Sequence, residues 1–300
     1  MDKVIRCCPV CGGNDFSEFA QEKIDYDAIG DFTYSSRKIP EFMCLRLVHC
    51  NTCDLVYAPE PPTEEFLEKV YSTADYDSSD EANYASRTYG RELSPFVNKM
   101  ANKTLAVEVG AGNGSFITWL IQQGFDKVIG VEPSTSAVMS APQEIRPFLH
   151  NKMYSSDIVQ GKSISLVCSF MTLEHIEDPL KFVSSVFPNM SDGSMIAFVV
   201  HNRRAVLNRI LGMKSPIIDI EHLQLFSPES ARFLLTKSGF KKVKIKSFSN
   251  TYPIKYWVRL LPLPNRIKSI MISFLKFIRM DTYEITLPVG NMLVVGYKVD

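Results

Sequence analysis

Ten residues, Leu105-Ala-Val-Glu108-Val-Gly110-Ala111-Gly112-Asn-Gly114, place a short apolar run directly before three alternating glycines. Such a segment folds as a buried strand that bends sharply into a helix, here expected over Ser115–Gln123. Glycine tolerates the left-handed backbone of so tight a bend, and its bare backbone lets a ligand lie against it. The spacing is E-x-G-x-G-x-G; Ser115 stands where the last glycine of a dinucleotide loop, G-x-G-x-x-G, would be. Glu132 ends the next expected strand, where a carboxylate can accept both ribose hydroxyls of a nucleoside.

From Leu105 onward, short apolar runs alternate with helical segments, which predicts an α/β, Rossmann-like fold with a mostly parallel sheet. Strands are expected at 105–109, 127–131, 145–149, 164–169, 195–200, 241–248 and 292–297. Ser134, Asp178-Pro179 and Ser227-Pro228-Glu229 read as helix starts, the last helix stopping at Gly239. Upstream, Thr63 caps a helix towards Tyr71, and a second helix is expected from Glu81 to Met100. The proline-rich turn from Ala58 to Pro62 marks a boundary. The resulting division is a module over 1–62, linker helices and a substrate-side cap over 63–104, and the α/β domain over 105–300 with an insertion at 251–280.

Six of the 7 cysteines fall in the first module. Cys8-Pro-Val-Cys11-Gly12-Gly13 and Cys50-Asn-Thr-Cys53 form two C-x-x-C turns, the pattern that delivers four thiolates to a tetrahedral zinc. A zinc-ribbon-like module with Cys8, Cys11, Cys50 and Cys53 as ligands is therefore expected, with Cys7, Cys44 and His49 as spare candidates. A fully ligated zinc leaves no open position for water, so its role is structural. Lys+Arg and Asp+Glu balance at 33 each, so no net charge calls for a nucleic-acid partner. The N-terminus shows no signal-peptide-like apolar run, and a cytoplasmic, reducing location is expected.

The glycine loop, Glu132 and the later Leu173-Glu174-His175 followed by Asp178-Pro179 together resemble the class I S-adenosylmethionine-dependent methyltransferases. Their order favours that family over a nicotinamide dehydrogenase on a similar sheet. The resemblance implies a seven-stranded sheet whose last strand, Gly290-Asn291-Met-Leu-Val-Val-Gly-Tyr, is antiparallel. It implies a cofactor set of Glu108, Gly110, Ala111, Gly112, Gly114, Glu132, Pro133 and Ser169. In that family the glycine loop holds the methionine portion and the acid holds the ribose. The adenine contact falls nearest to 151–157.

Methyl transfer aligns an acceptor and, where needed, removes its proton, a task suited to histidine. His175 follows the fourth strand at the carboxyl edge of the sheet. His222 lies in Asp219-Ile-Glu221-His222-Leu-Gln-Leu-Phe-Ser227, a loop-like link. For each, the plain alternative is a histidine that caps a turn or satisfies a core carbonyl. The zinc module joined to this core, with Glu-His-Leu before Phe-Ser, is similar to the nucleotide-sugar C-methyltransferases. That resemblance implies His222 as base, with Glu221, His175 and Tyr76 around a nucleotide-linked sugar. An oxygen acceptor on another small molecule, or an inactive zinc-ribbon scaffold, are the alternatives. The basic insertion 251–280 reads as a helical lid or dimer face, a peripheral membrane contact, or a diphosphate clamp.

Overall fold

A computed structural model of the protein describes residues 2–30, 33–34, 41–76, 79–261 and 263–299. The chain begins with three short strands, β1 (Phe16–Ala20), β2 (Leu47–Cys50) and β3 (Val56–Tyr57), followed by helices α1 (Glu64–Thr73) and α2 (Ser79–Val97). Thr63 Oγ1 accepts the Phe66 amide and so caps α1, as its sequence predicts. The α/β region then runs β4 (Leu105–Val109), α3 (Ser115–Gln122), β5 (Lys127–Val131), α4 (Thr135–Ser140), β6 (Leu149–His150), β7 (Ile164–Phe170), α5 (Pro179–Val186) and β8 (Met190–His201). It closes with α6 (Val206–Leu211), β9 (Gln224–Leu225), α7 (Pro228–Lys237), β10 (Lys241–Pro253), α8 (Ile254–Leu260), α9 (Asn265–Phe277) and β11 (Glu284–Tyr297).

Seven strands form one sheet in the order β10-β11-β8-β7-β4-β5-β6. The pairs β7–β8, β4–β7, β4–β5 and β5–β6 are parallel, whereas β11 runs antiparallel to both its neighbours. This is the α/β Rossmann-like sheet expected from the sequence, with only the last strand reversed. Every residue of β4 and β7 is buried, as expected for central parallel strands covered on both faces. Order in the sheet reverses between β4 and β7, and ligands of such folds bind at the carboxyl edge beside that crevice.

One expected strand is mostly absent. Residues 146–148 form a 3₁₀ turn, and only Leu149 and His150 pair with β5. Pro147 explains the difference: it lacks the amide that a ladder requires. The helix expected over 81–100 instead spans Ser79–Val97.

The first three strands do not fold apart from the rest. A second sheet, β1-β2-β3-β9, takes its fourth strand from the segment after α6, with Val56 opposite Leu225. Buried Val10, Val48 and Leu55 share one apolar cluster with Val107, Phe198 and Phe226. Arg6 adds polar ties: its guanidinium donates to the carbonyls of Ala58 and Leu223, both at 2.9 Å, and to that of Glu177.

Candidate functional site

A cavity of about 1040 Å³ opens at the carboxyl edge of the large sheet. Glu108, Gly110, Ala111 and Gly112 line it from the bend after β4, Glu132 and Pro133 from the end of β5. The bend is built as the glycines require. Gly110, Gly112 and Gly114 have φ of 79°, 54° and 73°. Their surroundings differ: a Cβ at Gly110 would lie 2.1 Å from Thr172 Oγ1, and one at Gly114 would lie 2.4 Å from Ile145 Cγ2. A Cβ at Gly112 would meet only the Tyr76 hydroxyl, at 3.9 Å. Gly110 and Gly114 are therefore glycines for packing, and Gly112 is the one that keeps space open.

Glu132 faces that open position. Its carboxylate accepts the Gly112 and Ser134 amides, each at 2.8 Å. Burial raises its pKa, and the two amide hydrogen bonds oppose the rise. Gly114 and Ser169, both in the expected cofactor set, do not line the cavity. Gly114 is turned towards Ile145 and starts α3, while Ser169 is fully buried within β7. An inward-facing position on a central strand explains the latter. Beyond β6, Met153, Tyr154 and Ser155 line the cavity, in the stretch where an adenine contact is expected.

The other end of the cavity is formed by a histidine cluster. The rings of His175 and His222 lie 4.9 Å apart, and His201 lies 5.4 Å from His222. His222 Nδ1 donates to the Ile217 carbonyl at 2.8 Å, which fixes the proton there and leaves the Nε2 lone pair available. His175 Nδ1 sits 3.1 Å from the Glu221 carbonyl and 3.7 Å from its carboxylate. Burial lowers the pKa of both rings. The neighbouring His175 charge lowers His222 further, whereas Glu174 partly offsets the shift of His175. Both are thus neutral imidazoles at pH 7.

The sequence reading did not single out Glu174 or His201 as site residues. Glu174 is fully buried and accepts from the His201 amide at 2.7 Å and from His201 Nδ1 at 3.1 Å. Burial opposes its ionisation, yet the hydrogen bond and charge of His201, with the fields of His222 and His175, hold it at about 2. Its carbonyl also accepts the Leu223 amide at 2.9 Å, anchoring the segment that carries His222. The available signal for His201 was positional, since it ends β8 at the carboxyl edge. Tyr76, Glu221 and His175, expected from the family resemblance, all line the same cavity, and Tyr76 lies over the glycine bend. Its neighbours Asp77 and Ser78 lie outside the described residues. Asn250 and Asn291 close this end, each with a buried side-chain oxygen that has no hydrogen-bond partner among the described residues.

Outside the cavity lining, Cys8, Cys11, Cys50 and Cys53 converge, with their sulfurs all within 4.8 Å of one another. Cys8 and Cys53 sulfurs are 3.5 Å apart, those of Cys11 and Cys50 3.4 Å. A tetrahedron with Zn–S near 2.3 Å has edges of about 3.8 Å, so this donor set fits a closed zinc site. The two turns match: Gly12 donates to the Cys8 carbonyl at 2.8 Å, Asp54 to the Cys50 carbonyl at 3.1 Å. The spare candidates lie elsewhere. Cys7 is exposed, Cys44 is buried near the Gln21 carbonyl, and His49 Nε2 contacts Asp54 at 2.8 Å.

Comparison with known proteins bears on the large sheet. A family model described as a methyltransferase domain matches residues 82–245. Among solved structures, the fold is similar to YcgJ from Bacillus subtilis, at 14% identity and a TM-score of 0.50, covering 70% of this chain and 99% of that one. It is similar to the plantazolicin methyltransferase BpumL, solved with a monoazolic desmethylPZN analogue and SAH, at 15% identity and a TM-score of 0.50, covering 79% and 90%. A SAM-dependent methyltransferase from Archaeoglobus fulgidus aligns over 70% of this chain and 93% of its own, at 15% identity and a TM-score of 0.48. No curated protein matches the sequence. Since the family model spans more than half of the chain and falls on the elements that build the cavity, the chain belongs to the methyltransferase-domain family.

Proposed function

We propose that this enzyme transfers the methyl group of S-adenosylmethionine to a small polar acceptor, a nucleotide-linked sugar methylated at carbon beside a ketone. The observation that carries this reading is one cavity with two chemically different ends. A bare backbone bend and a buried carboxylate form one end, and a cluster of histidines forms the other.

Glu108, Gly110, Ala111 and Gly112 would hold the methionine portion of the cofactor, and Glu132 with Pro133 its ribose. The open space at Gly112 and the carboxylate beside it suit that role. When bound, the cofactor supplies an electrophilic methyl group on a sulfonium. His222 takes the acceptor's carbon-bound proton on Nε2, while its Nδ1–H stays on the Ile217 carbonyl. The electron pair left on that carbon would form the new bond to the methyl group, which the bound cofactor would supply with loss of its sulfonium charge. Glu221 and His175 flank the base, and Tyr76 covers the bend. Burial of His222 limits the water that competes for the proton.

The four cysteines would hold a structural zinc that closes the N-terminal turns against β9. The deciding experiment measures turnover of labelled methyl donor against a panel of sugar nucleotides, beside calorimetry with S-adenosylhomocysteine. Micromolar binding of the product and turnover on a keto-sugar nucleotide are expected. Failure of the intact protein to bind S-adenosylhomocysteine overturns the assignment. Binding with methylation of a hydroxyl instead overturns only the carbon acceptor.

A further inference from the structure

The insertion between β10 and β11 leaves an unusual surface. On α9 and the residue after it, Ile267, Ile270, Phe274, Phe277 and Ile278 follow the i, i+3, i+7, i+10, i+11 spacing of a single helical face. That face points to water: Ile270 is 62% exposed, Phe274 61% and Phe277 85%. Arg266 and Lys276 lie on the stripe that borders it, together with Ser269 and Ser273. The opposite side packs on α8, where the buried Lys268 donates to the Arg259 carbonyl at 2.7 Å. A second helix repeats the pattern. On α6, Val206 and Ile210 follow i, i+4 and are 73% and 76% exposed, and Met213, in the turn after the helix, is exposed as well.

Charge decides what can cover this surface. Residues 254–280 contain six basic side chains and no acidic one. Arg259 is paired with Glu81 at 3.2 Å. Among the described residues, Arg266, Lys276 and Arg279 have no acidic partner, and neither does Arg209 on α6. A second copy of the chain fits poorly, because two-fold pairing through α9 brings two basic stripes together and α9 carries no carboxylate of its own to separate them. A bilayer with anionic headgroups satisfies both requirements at once: acyl chains receive the phenylalanines, and headgroups receive the bordering cations. No helix of the described residues is long and apolar enough to cross a membrane, so the contact is with its surface.

We propose that the exposed face of α9 is a docking face for an anionic lipid surface. The cavity is lined by α6, through Leu207 and Leu211, and by the end of α8, the helix on which α9 packs, through Leu260 and the following Leu261. Docking therefore holds the cavity close to the headgroup layer, where a membrane-linked acceptor would be presented. The docking claim stands on the surface alone and does not depend on the methyl acceptor.

The test is co-sedimentation of the full chain with vesicles of phosphatidylglycerol and phosphatidylcholine in about equal parts, and with vesicles of phosphatidylcholine alone. Each cation near an anionic surface is worth about five-fold in binding. At least ten-fold tighter binding to the anionic vesicles is expected, weakening as salt is added. Phe274→Ser with Phe277→Ser, and separately Arg266→Glu with Lys276→Glu, should each lower it at least ten-fold without changing Tm. Hydrogen exchange gives a readout that needs no variant: amides 265–278 of the unmodified chain should gain protection on adding anionic vesicles. Absence of vesicle binding overturns the proposal, as does binding that neither double variant weakens. So does self-association lost in Phe277→Ser by a chain that ignores vesicles.

Discussion

Asp54 accepts a hydrogen bond from Arg204 at 2.7 Å while holding a left-handed backbone, φ 63°, directly after the second cysteine pair. In the first cysteine turn the corresponding residue is Gly12, which adopts φ 78° without a steric penalty. An aspartate there costs backbone energy, and its side chain offsets the cost. Arg203 also pairs with it, and His49 contacts it at 2.8 Å. The two arginines come from the loop after β8, so one carboxylate ties the cysteine turns to the catalytic sheet.

Asp54→Asn keeps a residue that tolerates the left-handed region but removes the charge. A loss of about 1–3 kcal/mol at pH 7 is expected in urea unfolding. Burial alone would raise the Asp54 pKa, but hydrogen bonds from Arg204, Ser227 and His49 and the Arg203 charge outweigh it and bring it from 3.8 to about 2. A lowered carboxylate pKa stabilises the fold above the unfolded value and ceases to do so as pH falls through the folded one. The difference between wild type and variant should therefore narrow between about pH 4 and pH 2. A constant difference over that window rejects the ion-pair account.

Metal content tests the cysteine cluster directly. Wild-type protein prepared with zinc should carry about one zinc per chain by elemental analysis. Cys50→Ser or Cys53→Ser should lose most of it and lower Tm, because metal binding and folding of such turns are coupled. Full zinc retention in either variant removes that cysteine from the ligand set.

Glu132→Ala should weaken S-adenosylhomocysteine about 10- to 100-fold in calorimetry, the worth of hydrogen bonds to a charged group. The variant also strands the Gly112 and Ser134 amides, so its Tm is measured alongside. Unchanged affinity in a folded variant excludes Glu132 from the cofactor site.

The glycines separate packing from ligand access. Gly110→Ala sets a Cβ 2.1 Å from Thr172 Oγ1 at φ 79°, and a stability loss of about 1–3 kcal/mol or more is expected. Gly112→Ala meets nothing closer than the Tyr76 hydroxyl at 3.9 Å, so it should cost less stability and more cofactor affinity. Equal effects of the two variants on both quantities contradict the placement of the ligand over Gly112.

His222→Ala should reduce turnover about 10²-fold or more if this ring removes the proton. Burial holds its pKa below 6.5, with His175 adding to the effect, so the ring is a competent base at neutral pH. The acid limb of the wild-type rate profile should lie below pH 6.5 and vanish in the variant. Near-normal turnover without His222 retires its role as base.

Much of the fold was legible because its causes are local. Strands β4 and β5 begin and end where the apolar runs do, and Ser134, Asp178 and Ser227 each accept the amide of the N3 residue of the helix they cap. The 145–149 run misled because hydrophobicity outweighed Pro147, whose missing amide prevents a ladder. Glu132 was legible as facing the bend because register across β4 and β5 sets it beside Gly112. Nothing in the spacing of residues 219–227 showed that β9 would complete the N-terminal sheet, since strand pairing at such separation depends on how the layers dock.

By itself, the sequence determined the glycine bend, the acid after the second strand and the paired cysteine turns, because dihedral preference and short-range spacing dictate them. Tertiary structure alone decided that His175, His201 and His222 share one pocket, that Ser169 is sealed inside β7, and that one face of α9 stays bare. Those outcomes depend on contacts between segments far apart in the chain, whose geometry is set only when the whole sheet packs.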